Sequence, residues 1–158
     1  MANTQAMCTS FLGELMTATH NFGVAPTRGS TAADTFKGAL FLASATLNAS
    51  TAAYSTTGEV SGTNYTAGGV TVTNATAPIA TNSSTTAGVA YWTPSASLVY
   101  TNVTLTTAFD TVLVYNSSQS NKAVSVHTFG SQTITAGTFT LTMPSNTTTT
   151  ALLRLSTT

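Results

Sequence analysis

Charge is what this sequence has least of: four Lys/Arg and four Asp/Glu among 158 residues, with a formal net charge of zero. A folded chain of 16.1 kDa exposes roughly 7,400 Å² by mass scaling, so each charge has about 900 Å² of surface to itself. That is far below the mixed charged coat that keeps small domains apart, and it points to a chain that associates. Nucleic acid is excluded as a partner, because Arg28, Lys37, Lys122 and Arg154 are dispersed and sum to no positive field. Cysteine is nearly missing too. Cys8 stands alone, which rules out an internal disulfide and predicts a small buried apolar residue. Long apolar runs are missing, since Glu14 interrupts Phe11-Leu12-Gly13, and no basic stretch precedes Arg28. These features predict neither a secretory signal nor a membrane span, and synthesis and folding in a cytoplasm.

The titratable groups are few enough to exhaust. The carboxylates Glu14, Asp34, Glu59 and Asp110 show no acid/base pairing. His20 and His127 have no His-x-x-x-His or Cys-x-x-Cys neighbours, so no metal-ligand set has standard spacing. His20 is expected to cap a helix end. No Gly-x-Ser-x-Gly elbow is present, and Gly68-Gly69 reads as a turn and not as a phosphate cradle. The sequence therefore predicts no catalytic, cofactor or metal site, and a non-enzyme.

What is there is threonine, at 37 residues, with 42% hydrophobic residues and a mean hydropathy of +0.20. Hydropathy of that sign excludes a solvated disordered chain. Thr and Val are β-branched and suit a pleated, half-buried surface. Residues 1–8 read as a short arm, ordered only by neighbours, and Thr9–His20 as a short helix with Ser10 as N-cap. Thr35–Ala43 is the first strand, and 44–69 is a long excursion loop with a helical turn around Asn48–Tyr54. From Gly69 the period is two, through Val70–Asn74, Val89-Tyr91, Leu98–Leu105, Phe109–Tyr115, Ala123–Phe129, Thr133–Thr135, Thr138–Met143 and Ala151–Leu155. Turn clusters stand at Pro94-Ser95, Asn116-Ser117-Ser118, Gly130-Ser131, Ala136-Gly137 and Pro144-Ser145-Asn146. The expected fold is all-β: an antiparallel β-sandwich, jelly-roll-like in first place and immunoglobulin-like in second, with a short N-terminal arm and helix. In domain terms this is an arm and helix over 1–22 and a single sandwich over 23–158.

For a chain that associates, the candidate contact residues are apolar or aromatic. They are Phe11, Leu12, Leu15 and Met16 at helical spacing, Tyr54 and Tyr65 in the long loop, and Tyr91, Trp92 and Tyr100 on strands.

The opening Met-Ala-Asn-x-x-Ala-Met-Cys-Thr-Ser-Phe over residues 1–11, His-Asn-Phe at 20–22, the block from Thr51 to Gly69, and Leu113-Val114-Tyr115-Asn116 followed by Asn121-Lys122-Ala123-Val124 and Phe129-Gly130 carry a resemblance. Together they resemble a family of small β-rich structural proteins of tailed bacteriophages. The resemblance implies a virion component made in the host cytoplasm: a capsid decoration (cement) protein, homo-oligomeric with a trimer favoured, seated on the major capsid protein. The alternative is a tail tip or tail-fibre-associated protein that binds a host glycan through Tyr91-Trp92 and Tyr100. Leu12 and Gly13 depart from the family pattern, where a more polar helix start is usual.

Overall fold

A computed structural model describes residues 2–16, 18–22, 33–73, 77–81 and 88–156. The chain is mostly β, with antiparallel sheets and one short helix, as its composition requires. Its elements are β1 (Ala6–Met7), α1 (Thr9–Met16), β2 (Phe36–Leu42), β3 (Val70–Thr71), β4 (Ile79–Ala80), β5 (Val89–Trp92), β6 (Leu98–Asn116), β7 (Lys122–Leu141) and β8 (Leu153–Ser156). A five-stranded sheet runs in the order β1-β7-β6-β2-β3, and a three-stranded sheet in the order β4-β5-β8. Asn74 of the alternating run lies outside the described residues. Among those described, no helix is long and apolar enough to cross a membrane.

The centre of the molecule is the β6/β7 hairpin. Its register runs from Asn116↔Lys122 next to the turn to Leu98↔Leu141 at the far end. The hairpin of 110–116 with 122–129 is thus as the sequence predicts. Beyond it, the strands expected as five separate pieces are two continuous ones of 19 and 20 residues. Gly130-Ser131 and Ala136-Gly137 do not turn the chain. They lie where the register shifts, and Ala136 on β7 and Asn102 on β6, both in that stretch, take positive φ, 47° and 51°. Extra residues absorbed as bulges bend a strand without ending it.

β2 pairs along β6 from Phe36↔Asn116 to Leu42↔Phe109, and alternate residues of this pair look to opposite faces. On one face Phe36 stacks on Phe22 at 4.3 Å and meets Trp92 of β5 at 6.3 Å. On the other, Tyr115 stacks on Tyr54 of the long loop at 4.5 Å. Cover on both sides explains why every residue from Thr111 to Asn116 is buried, a continuous run where the rest of β6 alternates.

The N-terminal segment corrects the expectation of an arm ordered only by neighbours. Asn3 Nδ2 donates to the Leu42 carbonyl and to Asp110, Leu47 N donates back to Asn3 Oδ1, and Thr4 N donates to the Leu47 carbonyl at 2.8 Å. Ala6 and Met7 pair with Val126 and Ser125. Cys8 is fully buried, as predicted; burial first, then the nearby Glu14 charge, pushes its thiol up to about 11. Ser10 is not the N-cap. It sits inside α1 with its hydroxyl buried and unpaired. At the other end Ala18, at φ 54°, turns the chain so that Thr19 N donates to the Glu14 carbonyl.

Candidate contact surface

Eight of the nine anticipated residues have described side chains, and they fall on two sides of the molecule. Phe11 and Leu15, one turn apart on α1, face β5 and β8 across a groove of about 100 Å³ whose other walls include Tyr91, Trp92, Leu153 and Leu155. No charged side chain lines it. Phe22 closes the floor, with its ring 4.9 Å from Trp92 and 5.9 Å from Phe11. Leu153 and Leu155 share one face of β8; the first is buried in the common core, while the second is 41% exposed. Leu12 on α1 and Ile79 on β4, each 45% exposed, add apolar surface on the same elements. Phe11 and Trp92 are only 2% exposed. Their rings are spent inside the chain, so Trp92 is a core residue and not the contact anchor that its sequence context suggests. The open surface belongs to Leu12, Leu15, Tyr91 and Leu155. The side chain of Met16 lies outside those described.

Tyr54, Tyr65 and Tyr100 gather on the other side, around Glu59. Glu59 Oε2 accepts from Tyr54 OH at 2.6 Å, and Oε1 accepts from Tyr65 OH at 2.8 Å and from Gly68 N at 2.7 Å. Tyr65 OH also accepts from Leu40 N, Tyr100 OH donates to the Gly38 carbonyl, and Tyr115 OH donates to the Gly68 carbonyl. The long loop is therefore fastened to its own sheet, which corrects the expectation that its tyrosines reach out. Burial pushes the hydroxyls of Tyr54, Tyr65 and Tyr100 well above their ordinary range, and the Glu59 carboxylate adds to this in each. Gly68 and Gly69 both have positive φ, 88° and 71°, and a Cβ on Gly69 would collide with the Gly38 carbonyl. This turn lets loop and strand touch, as the sequence reading of Gly68-Gly69 requires.

A third cluster is polar. Glu14 accepts from Lys122 Nζ and pairs with His20 Nε2, both at 2.6 Å. Asn116 Oδ1 accepts from Ser118 N, so its amide nitrogen faces Asp34 Oδ2 at 2.7 Å and His20 Nδ1 at 3.0 Å. His20 thus spends both ring nitrogens holding α1 to the β6/β7 turn, and does not cap the helix as expected. Burial raises the Glu14 carboxyl, but the hydrogen bonds from Lys122 and His20, with their charges, outweigh it and hold it below the usual range.

No family model, curated protein or solved structure matches this chain. The residues speak for themselves. Of the groups that organise the surface, the sequence reading missed Glu59, since its partners lie five, six and nine positions away in a loop without period. It also missed Ser125 and His127, whose spacing of two on a strand is the available signal: alternate residues share a face, and His127 Nε2 lies 2.8 Å from Ser125 Oγ.

Proposed function

We propose that this chain is a non-enzymatic structural component of a tailed-phage virion, a capsid decoration (cement) protein that stabilises the head shell as a homo-oligomer seated on the major capsid protein. The finer architecture that goes with this reading is a jelly-roll-like sandwich, its two sheets sharing a core at Trp92. The observation that carries the proposal is the uncharged groove of α1 and the three-stranded sheet, with Leu12, Ile79 and Leu155 exposed on the same elements. Open apolar surface of this kind marks a place where another protein sits. The resemblance over residues 1–11, 20–22, 51–69, 113–116, 121–124 and 129–130 supplies the class of assembly. A protein that binds only the assembled lattice stabilises it by mass action, and with so few charges the affinity comes from apolar contact and hydroxyl and backbone hydrogen bonds. The tail-tip alternative relies on rings open to a sugar, yet Trp92 and Tyr100 are 2% and 3% exposed.

Copy number tests the proposal. Quantitative densitometry of purified particles is expected to give hundreds of copies per virion; a handful of copies places the protein on the tail, and its absence from particles overturns the reading.

A further inference from the structure

Next to the groove, with Met7 and Leu153 lining both, lies a cleft of about 510 Å³, walled by Gln5–Met7, by Ser125–His127 of β7 and by Thr150–Arg154. A narrower cavity of about 190 Å³ adjoins it, and Gln5, His127, Pro144 and Leu152 line both. We propose that this double cavity binds a small organic carboxylate on an apolar stem, with the Arg154 guanidinium on the carboxylate and the stem in the narrower space. The inference is independent of the virion reading.

Three observations carry it. The first is charge: Arg154 lines the cleft, makes no ion pair among the described residues, and no Asp or Glu lines either cavity. Lys122, by contrast, is satisfied by Glu14. A planar guanidinium is matched to a carboxylate through two parallel hydrogen bonds, and a single cation balances a monoanion, whereas a phosphate dianion would keep excess charge. The second is the Ser125–His127 pair. His127 Nε2 is 2.8 Å from Ser125 Oγ, while Nδ1 has no hydrogen-bond partner among the described residues. The half-buried His127 lines both cavities, so this ring nitrogen is a polar group open to a ligand where the two spaces meet. The third is the shape of the lining. Leu98, Val112, Val114, Leu141 and Met143 line the narrower cavity beside Thr128 and Thr142, so it is the more apolar of the two spaces, and the only cation lining either, among the described residues, stands in the wider one. The wider cleft has the volume usual for small-ligand sites, and the division of apolar walls from a few convergent polar groups is their usual chemistry.

The test is calorimetric titration of the full-length protein with octanoate and, in parallel, with 1-octanol, repeated on Arg154→Gln. Arg154 is exposed on β8, so the substitution leaves the core intact, and matched thermal melts check this. A second variant, Leu141→Trp, fills the narrower cavity. The expected result is saturable binding of one octanoate per chain, weakened at least tenfold by Arg154→Gln and by Leu141→Trp, with octanol binding unaffected by Arg154→Gln. Absence of saturable octanoate binding overturns the proposal. So does equal affinity of wild type and Arg154→Gln, which places the fatty chain on another apolar surface. Protection of the cleft by self-association, seen as a change of mass in light scattering with no effect of octanoate, overturns it as well.

Discussion

At the scale of single residues, stability rests on a few polar groups that the core cannot spare. Glu59 receives three donors, two of them tyrosine hydroxyls. Glu59→Gln keeps the shape but turns an amide nitrogen toward a hydroxyl or N–H donor, and is expected to cost about 2 kcal/mol, the worth of a hydrogen bond to a charged group; chemical denaturation measures it. His127 makes stability depend on pH. Burial pushes its imidazole down to about 4 from an ordinary value of 6.5. The unfolded chain then binds a proton that the folded one refuses, so stability is complete above pH 6.5 and falls as pH drops toward 4. The loss approaches roughly 3 kcal/mol at about 1.4 kcal/mol per unit. Glu14, held below the usual carboxylate range, adds a further loss at more acid pH, as it is protonated. Unfolding free energies measured from pH 7 to pH 4 are expected to show this slope, and His127→Gln to flatten the part above pH 4.

Among the elements, the N-terminal segment is the one whose role the structure changes most. Thr4, Cys8 and Thr9 donate backbone hydrogen bonds to Leu47, Val124 and Ala49, and Asn3 adds side-chain bonds to Leu42 and Asp110. Deleting residues 1–8 removes most of these and uncovers the edge of β7. At about 1 kcal/mol per bond, the expected loss is roughly 4 kcal/mol, or a drop of about 8–16 °C in melting temperature for a chain of this size; an unchanged melt would return the segment to the status of a loose arm. The contrast with the sequence reading is instructive. β2, the hairpin of 110–116 with 122–129, β5 and β8 were legible because they are short runs rich in apolar and β-branched residues, bounded by polar and turn-forming ones. The union of the later pieces into one long ribbon was not, because Gly130-Ser131 and Ala136-Gly137 carry the composition of turns and only the opposing strand reveals them as bulges. The arm was illegible for a related reason. Uncharged, aperiodic residues give no local signal of a partner that lies from 39 to 120 positions away, as with Asn3 to Leu42 and Ala6 to Val126. Of the contact candidates, Phe11, Leu15, Tyr91 and Trp92 line one groove, but their exposure was not legible, since an aromatic residue on a strand reads alike in a core and at an interface.

For the whole molecule, the scarcity of charge becomes a surface property. Its accessible area of 8,157 Å² includes an apolar region on α1, β4 and β8. Self-association through that region is expected to be nearly insensitive to salt, since screening acts on charges. Light scattering of the double variant Leu12→Asp with Leu155→Asp is expected to show smaller species than wild type at equal concentration, with an unchanged thermal melt. Larger or identical species would move the contact elsewhere. The length of the hairpin has a mechanical consequence as well. Strands of 19 and 20 residues at about 3.3 Å per residue extend roughly 65 Å, and every rung between them lies across that axis. Tension applied lengthwise to the two strands in opposite directions shears all rungs together, whereas tension at the open end, where Leu98 faces Leu141, peels them one at a time. The molecule is a tie that is strong along its grain and weak across it, and the direction in which a neighbour pulls decides which of the two it meets.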